Sequence, residues 1–209
     1  MAWDILGQQL WNGLINASIY VIFAAGLSLV FGVMRVINMA HGELTMLGAM
    51  LLYTVTEPLG INYYWGAVIV VVLMAAVGLL LNRVAVFPFL GQSELTVILS
   101  TVAVSFVMLH GSIAAWGSGP RGVEAPFNSI VKVGGIFITT ASLLLIGGCF
   151  TAVVGLHLLL ARTRLGRMTR ATGQNLLGAR LIGLNTTRIY DTTLIIASSL
   201  AALAGVLIV

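Results

Sequence analysis

Two ionisable side chains and an amide occur close together in an otherwise apolar part of the chain, and they are the residues best suited to chemistry. They are Asn38, His41 and Glu43. An imidazole and a carboxylate at this spacing can relay a proton, hydrogen-bond a small polar molecule or stabilise local structure. A metal site is not predicted, because Thr45 stands where a second histidine would complete a zinc motif, and neither a cysteine nor another acidic residue is near.

Strongly apolar runs flank these residues and place them at membrane depth. Residues 44–56 form a run of 13 residues, which as a helix reaches about 20 Å, whereas the hydrocarbon core of a bilayer is about 30 Å thick. The preceding polar residues must therefore enter the membrane, where an ionisable group costs about 2.5 kcal/mol or more unless it faces protein or water. If the segment is one continuous helix, its small and polar residues share one face: Asn38, His41, Gly42, Thr45 and Gly48.

Two interpretations of this face remain open at the level of the sequence. In the structural one, Asn38 and His41 bond the backbone of a broken helix and Glu43 caps it or neutralises Arg35, because irregular backbone in a membrane needs such partners. In the functional one, the break lines a translocation path near the middle of the membrane. The candidate path residues lie here and on a second polar face further along the chain: Asn38, His41, Gly42, Glu43, Thr45, Gly48, Thr101 and Ser105.

The composition is that of a protein that crosses a membrane several times. Hydrophobic residues make up 59% of the 209 residues and charged residues 8%, and the mean hydropathy is +1.08. A soluble globule of this size is excluded, because too few charges remain to cover its surface. We predict an all-α, polytopic membrane helix bundle that forms a single transmembrane domain, 1–209, with a broken or short second helix. The predicted spans, about six, are residues 15–33, 36–56, 63–81, 95–116, 136–160 and 189–209.

The basic residues are distributed unevenly, and this asymmetry predicts orientation. Six of the ten fall in the basic segment, residues 161–188, and cytoplasmic loops carry an excess of Lys and Arg. Placing the basic segment in the cytoplasm and alternating along the spans also puts Arg35 and Arg83 inside, with Arg121 and Lys132 outside. The amino terminus is then external, and the charge cluster indicates orientation and not nucleic-acid binding.

The basic segment also has the pattern of an amphipathic cytoplasmic helix. Arg164, Arg167 and Arg170 recur every three residues, Gly183 is predicted to end a helix, and Asn185 to cap the next one. From the charge pattern alone, such a segment is typical of a loop that is solvated or lies on lipid headgroups.

The remaining spans carry three features of less weight. Ala197 and Ala201, with Gly205, form a small-residue face that allows close helix packing. The single cysteine, Cys149, lies in an apolar run and is predicted to be a packed thiol. His110 and His157 are given no role.

The sequence around the polar cluster resembles that of a known family. Residues 26–49, with the core Ile37-Asn38-Met39-Ala40-His41-Gly42-Glu43, resemble the signature of the LivH-type permeases of high-affinity branched-chain amino acid ABC transporters. Urea and short-chain amide permeases share this wording. The resemblance covers the whole chain but about the first two-thirds of the family's length, so the chain is expected to be a fragment of a longer permease.

The resemblance also implies a role for the basic segment. Residues 166–175 and 179–185 resemble the loop by which these permeases dock on ATP-binding subunits. The sequence departs from the pattern at Leu177, where an acidic residue is usual, and at Gly178, where alanine is usual. The residues carried over to docking are Gly166, Arg167, Arg170, Asn175, Ala179, Gly183 and Asn185.

The partners and location follow from the same resemblance. It implies two ATP-binding cassette subunits that hold ATP and Mg, a second permease subunit, identical or different, and a solute-binding protein that is periplasmic or lipid-anchored. The chain would lie among the lipids of a bacterial inner membrane. No cofactor, metal or catalytic residue is expected in this chain, and no nucleic acid.

The function expected from these observations is that of a membrane-spanning subunit of an ATP-driven importer of leucine, isoleucine and valine. The chain has no phosphate-binding loop, so ATP hydrolysis is assigned to partner subunits. The nearest alternative is a permease for urea or short-chain amides. More remote alternatives are a passive solute channel and an intramembrane enzyme that uses His41 and Glu43 as acid and base, for which no nucleophile motif is present.

Overall fold

The computed structural model describes residues 2–123 and 129–209. Within these ranges the chain forms eight α-helices and one β-hairpin. They are α1 (Ala2–Met34), α2 (His41–Thr56), α3 (Tyr63–Leu81), α4 (Glu94–Trp116), β1 (Ile130–Val133), β2 (Ile136–Thr139), α5 (Thr140–Arg162), α6 (Arg164–Gln174), α7 (Leu176–Leu181) and α8 (Thr186–Ile208). A π-helical turn, Asn82–Val86, and a 3-10 turn, Phe87–Phe89, extend α3.

The predicted all-α membrane bundle is confirmed, with about five full-length spans instead of six. Five of the described helical segments are long and apolar enough to cross a bilayer, and they contain α1, α3, α4, α5 and α8. The second helix, α2, has 16 residues and reaches about 24 Å, less than the hydrocarbon core. The prediction that the second helix is short or broken is therefore confirmed.

The helix boundaries differ from the predicted spans at the starts of α1 and α5. Helix α1, Ala2–Met34, contains the predicted first span, residues 15–33, and continues it toward the amino terminus. Residues 136–139 form strand β2, so α5 begins at Thr140. The third span matches α3 at both ends. Helix α4 starts one residue before its predicted span, after Ser93, whose side chain accepts a hydrogen bond from the Thr96 amide.

Helix α8 is the centre of the bundle and packs against α1, α2 and α3. Its predicted small-residue face is buried, and glycines on its neighbours permit close approach. An added Cβ at Gly48 would lie 2.7 Å from the Cα of Ala202, and one at Gly205 would overlap the carbonyl oxygen of Thr45. On the other side, an added Cβ at Gly78 of α3 would overlap the hydroxyl of Ser198.

Polar elements cap the two ends of this bundle. At one end, β1 and β2 pair in antiparallel fashion, and the Gln8 side chain both donates to the carbonyl oxygen of Phe137, at 3.3 Å, and accepts from its amide, at 2.8 Å. At the other end lie α6 and α7, where Arg35 donates to the carbonyl oxygen of Gly173 at 3.4 Å. Helix α1 connects the two ends.

Candidate functional site

The break between α1 and α2 is built by backbone geometry and one amide side chain. Arg35 has φ +54°, in the left-handed region, so the chain leaves the helical path after Met34. The Asn38 side-chain oxygen accepts a hydrogen bond from the Ala40 amide at 3.1 Å, and the Asn38 carbonyl accepts from the His41 amide at 3.3 Å. Residues 35–40 are not helical, so the continuous-helix interpretation is wrong for this segment, and α2 begins at His41 and not at residue 36.

His41, at the start of α2, packs against α1. Its Nε2 lies 3.1 Å from the carbonyl oxygen of Phe23, and its ring meets the Phe23 ring edge-on with centroids 4.8 Å apart. An added Cβ at Gly26 would lie 3.0 Å from the imidazole and 3.1 Å from the carbonyl oxygen of Ala197. A side chain at position 26 would therefore press on the imidazole and on the backbone of α8, and the glycine leaves room for both.

Two polar atoms of this buried cluster lack partners among the described residues. Asn38 and His41 are 2% and 1% exposed, yet Nδ2 of Asn38 and Nδ1 of His41 make no hydrogen bond there. Such atoms cost stability, about 1–3 kcal/mol each, and native structures contain few of them. The cluster is thus less than fully optimised for stability.

Thr101 on α4 ties this break to a second helix. Its hydroxyl accepts a hydrogen bond from the Met39 amide at 3.2 Å and donates to the Ile98 carbonyl at 2.9 Å. The side chain is fully buried. Ser105, one turn further along α4, is half-buried.

The predicted path residues divide into two groups in the structure. Asn38, His41, Gly48 and Thr101 are buried in packing within the chain, whereas Gly42, Glu43, Thr45 and Ser105 are exposed or half-buried. Within residues 2–123 and 129–209, Glu43 makes no hydrogen bond and no ion pair, so the proposed neutralisation of Arg35 by Glu43 is wrong. The proposal that all eight residues line one path stays a prediction.

The basic segment folds as two capped helices with defined turns. Thr163 caps α6 by accepting from the Gly166 amide at 3.1 Å, and Asn175 caps α7 by accepting from the Gly178 amide at 2.8 Å. Gly183 has φ +81° and ends this part as predicted. Asn185 caps α8 by accepting from the Arg188 amide at 3.1 Å, also as predicted.

The other candidate docking residues divide between packing and the surface. Ala179 is buried, Gly166 is packed against the end of α5, and Arg167 and Arg170 are exposed. Three apolar side chains of this segment project outward: Leu177 is 69% exposed, Leu181 80% and Ile182 74%. Apolar residues at such exposure beside arginines suit a protein partner better than water.

A buried ionic cluster at this end was not predicted. Asp191 of α8 accepts from Asn82 Nδ2 at 2.7 Å, from Arg83 Nε at 3.1 Å and from Arg83 Nη2 at 2.5 Å. The two donors lie in the π-helical turn after α3. An aspartate three residues into an apolar run requires such a partner, and that signal could have identified Asp191 from the sequence.

A second unpredicted cluster joins α2 to α4 at the opposite end. The Trp116 indole donates to the Thr54 hydroxyl at 2.7 Å. The Arg121 guanidinium donates to the Tyr53 hydroxyl at 3.3 Å and lies 5.4 Å from the centre of that ring. Together with the Thr101 contact, these bonds hold α2 against α4 at both ends.

No metal centre is apparent in the part of the chain that the structure describes, where no group of three or more His, Cys, Asp or Glu residues is placed to hold an ion. The buried cysteine, Cys149, is a free thiol packed in the core.

The fold and these sites define a polytopic helical membrane protein with a short second helix that follows a non-helical break, and with an arginine-rich helical segment at one end. Residues 9–209 match the family described as the permease component of the branched-chain amino acid transport system. The chain belongs to this family of transport permease components.

Individual relatives agree with this assignment. The permease protein LivH of the high-affinity branched-chain amino acid transport system of Escherichia coli is 31% identical over 96% of this chain and 70% of its own length. BraD of Pseudomonas aeruginosa, named likewise, is 30% identical with the same coverage. A probable LivH of Methanocaldococcus jannaschii is 26% identical over 96% of this chain and 66% of its own length. These relatives are named as transport permeases and not as enzymes, and no solved structure matches the chain.

Proposed function

We propose that this chain is the membrane-spanning permease subunit of an ATP-driven importer that carries branched-chain amino acids across a bacterial inner membrane. The observation that carries the proposal is the surface around α7, where Leu177, Leu181 and Ile182 are exposed next to arginines on a capped segment. Family membership supports the importer class, and the names of LivH and BraD support the amino acid substrate.

The energy source is a separate polypeptide in this proposal. The sequence has no phosphate-binding loop, so ATP and Mg bind to ATP-binding cassette subunits that dock on α6 and α7. Arg167 and Arg170 provide charge at this surface, and the apolar side chains provide buried contact area. The caps formed by Asn175 and Asn185 keep the segment rigid, so movement of the ATPases is transmitted to α8.

The translocation path in this proposal runs along the polar side of α2. Gly42, Glu43, Thr45 and Ser105 supply its surface, since the chain itself leaves them at least partly uncovered. Asn38, His41, Gly48 and Thr101 support that surface from behind by fixing the break and the helix contacts. An amino acid zwitterion with an apolar side chain suits small, mildly polar walls, and the Glu43 carboxylate, which has no ion-pair partner among the described residues, can meet its ammonium group.

The remaining partners complete the route. An external solute-binding protein delivers substrate to the end that carries the β-hairpin, and a second permease subunit covers exposed faces of this one. The basic segment faces the cytoplasm and the amino terminus faces outward, in keeping with the positions of the arginines.

Transport into proteoliposomes tests this function. The chain is reconstituted with ATP-binding cassette subunits, a second permease subunit and a solute-binding protein of the same organism, and uptake of radiolabelled leucine and urea is measured with ATP or ADP at the ATPase side. We expect leucine uptake that requires ATP and the binding protein, and none of urea. ATP-dependent urea uptake without leucine uptake would make the chain a urea permease, and equal flux with ADP would make it a channel.

A further inference from the structure

An open groove of about 420 Å³ lies at the basic end of the molecule, between α1, α5 and α6. Its walls are mostly apolar. They come from one face of α1 and one face of α5, and include Leu29, Val33, Val153, Leu156 and Leu160. The translocation path proposed above does not use this groove, and the proposed docking surface shares only Arg170 with it.

Helix α6 forms the roof of this groove because two of its glycines let it lie directly on α5 and α1. An added Cβ at Gly166 would overlap the carbonyl oxygen of Leu160, and one at Gly173 would overlap that of Gly32. The Arg170 guanidinium donates to the Leu160 carbonyl. This bond holds the positive charge at the edge of the groove.

The groove is also lined by four polar residues, and none of them is acidic. Arg170, His157 and Ser28 are exposed, whereas Thr169 is buried. Among the described residues that line the groove there is no carboxylate. Arg167 lies on the exposed side of the same helix and adds to the positive potential.

If α1 and α5 end at the membrane surface, these groups lie near the boundary between lipid headgroups and acyl chains. Ser28 precedes the end of α1 by six residues and His157 precedes the end of α5 by five, which at helical rise is about 9 Å and 8 Å. A charged group at this depth beside an apolar groove complements a phosphodiester attached to an acyl chain. Basic pockets between membrane helices on the cytoplasmic side bind anionic headgroups in this way.

We propose that this groove between α1, α5 and α6, from here on the lipid groove, binds one anionic phospholipid of the leaflet at the basic end of the molecule. One acyl chain lies along α1 and α5, and the phosphate accepts hydrogen bonds from Arg170 and His157. The lipid fills the space beneath α6, so it supports the helix that carries the docking arginines. This inference needs only the membrane location of the chain and is independent of the transported substrate.

Lipid retention measured by native mass spectrometry tests the inference. The full chain is purified in mild detergent and equilibrated with equal amounts of phosphatidylglycerol and phosphatidylcholine of the same acyl chains. We expect one tightly retained phosphatidylglycerol. The Arg170→Gln variant lowers the preference for phosphatidylglycerol about five-fold, the factor expected for one basic residue near an anionic lipid, and His157→Gln lowers it as well.

Filling the lipid groove separates a lipid site from a general charge effect. Gly32 lines the groove and has open space beside it, so Gly32→Leu is expected to reduce retention of phosphatidylglycerol to the level of phosphatidylcholine. Gly155→Leu on α5 is the matched control, because Gly155 also has open space but does not line the groove. Arg188→Gln is the control for charge, since Arg188 is exposed outside the groove.

Three results would overturn the inference. The first is equal retention of both lipids by the wild-type chain. The second is unchanged retention of phosphatidylglycerol by a Gly32→Leu variant whose helical content is intact. The third is that inorganic phosphate alone protects the chain against thermal unfolding as much as phosphatidylglycerol does. The third result would make the site one for free phosphate. None of these measurements includes an ATPase, so they leave the importer proposal untouched.

Discussion

The residues around the helix break combine structural and functional roles. Asn38 and His41 bond the backbone, as the structural interpretation of the sequence required, yet each retains a buried atom without a partner in the described part of the chain. Glu43 has no ion-pair partner there. The backbone contact of Asn38 was predicted in the structural interpretation, because an asparagine side chain can hydrogen-bond the backbone two positions away. Local signals could not predict that His41 contacts Phe23, since that pairing depends on how α1 and α2 cross.

Thr101 tests whether the break is held by α4. In Thr101→Val the Met39 amide loses its acceptor, and an unsatisfied, partly buried donor costs about 1–2 kcal/mol. We expect the midpoint of thermal unfolding in detergent, followed by circular dichroism, to fall by about 2–8 °C, given about 2–4 °C per kcal/mol for a chain of this size.

The matched control is Thr151→Val, whose hydroxyl is exposed and donates only within α5, to the Gly147 carbonyl. It is expected to leave the midpoint unchanged. Equal midpoints for both variants would mean that the hydrogen bond from Met39 to Thr101 does not stabilise the break.

The ends of helices were predictable where an apolar run stops at a clear capping residue. They were less predictable where tertiary contacts determine the local structure. The span ending at Leu81 and the caps Ser93 and Asn185 follow from local sequence. Strand β2 was missed because the short, mostly apolar sequence Ile136–Thr139 fits a strand or the first turn of a helix equally well. The cluster of Asn82, Arg83 and Asp191 was missed because its members lie more than 100 residues apart, at 108 and 109 positions.

Glycine substitutions test the packing of α2 on α8. Gly48→Ala places a Cβ 2.7 Å from the Cα of Ala202, so the helices must separate, at a cost of about 1–3 kcal/mol. Gly111→Ala on α4 is the control, because Gly111 has open space around it and alanine favours a helix over glycine by about 1 kcal/mol. The two variants should shift the midpoint of thermal unfolding in opposite directions. A stabilised Gly48→Ala would contradict the close contact between α2 and α8.

At the scale of the whole molecule, the two ends are distinguished by charge. The arginines of α6, the Arg35 contact with Gly173 and the Asp191 cluster lie at one end, and the β-hairpin lies at the other. The excess of arginines at one end was predictable from composition and charge, because the bilayer requires polar groups to lie at the ends of spans. The Asp191 cluster and the β-hairpin were not predicted. The identity of the substrate was beyond the sequence, since a weak, mildly polar path has no motif of its own.

Cysteine labelling tests the orientation. In a background of Cys149→Ser, single cysteines are introduced at Leu181, near the end of α7, and at Ser118, after α4, both of which are exposed. A membrane-impermeant maleimide is expected to label the Ser118→Cys variant in intact spheroplasts and the Leu181→Cys variant only in inverted vesicles. The reverse pattern would place the basic segment outside and end the docking proposal.

The central claim is that hydrolysis of ATP on another chain drives transport through contact with the surface around α7. Its most direct test is ATP-dependent leucine uptake by the reconstituted importer carrying Leu181→Asp, with Leu59→Asp as the control, because Leu59 is similarly exposed, 65% against 80%, in the turn after α2. A charge in a docking surface costs 1.4 kcal/mol or more, about ten-fold in binding. We expect uptake by Leu181→Asp to fall at least about ten-fold at limiting ATPase while Leu59→Asp retains wild-type uptake, and wild-type uptake by both variants would contradict the claim.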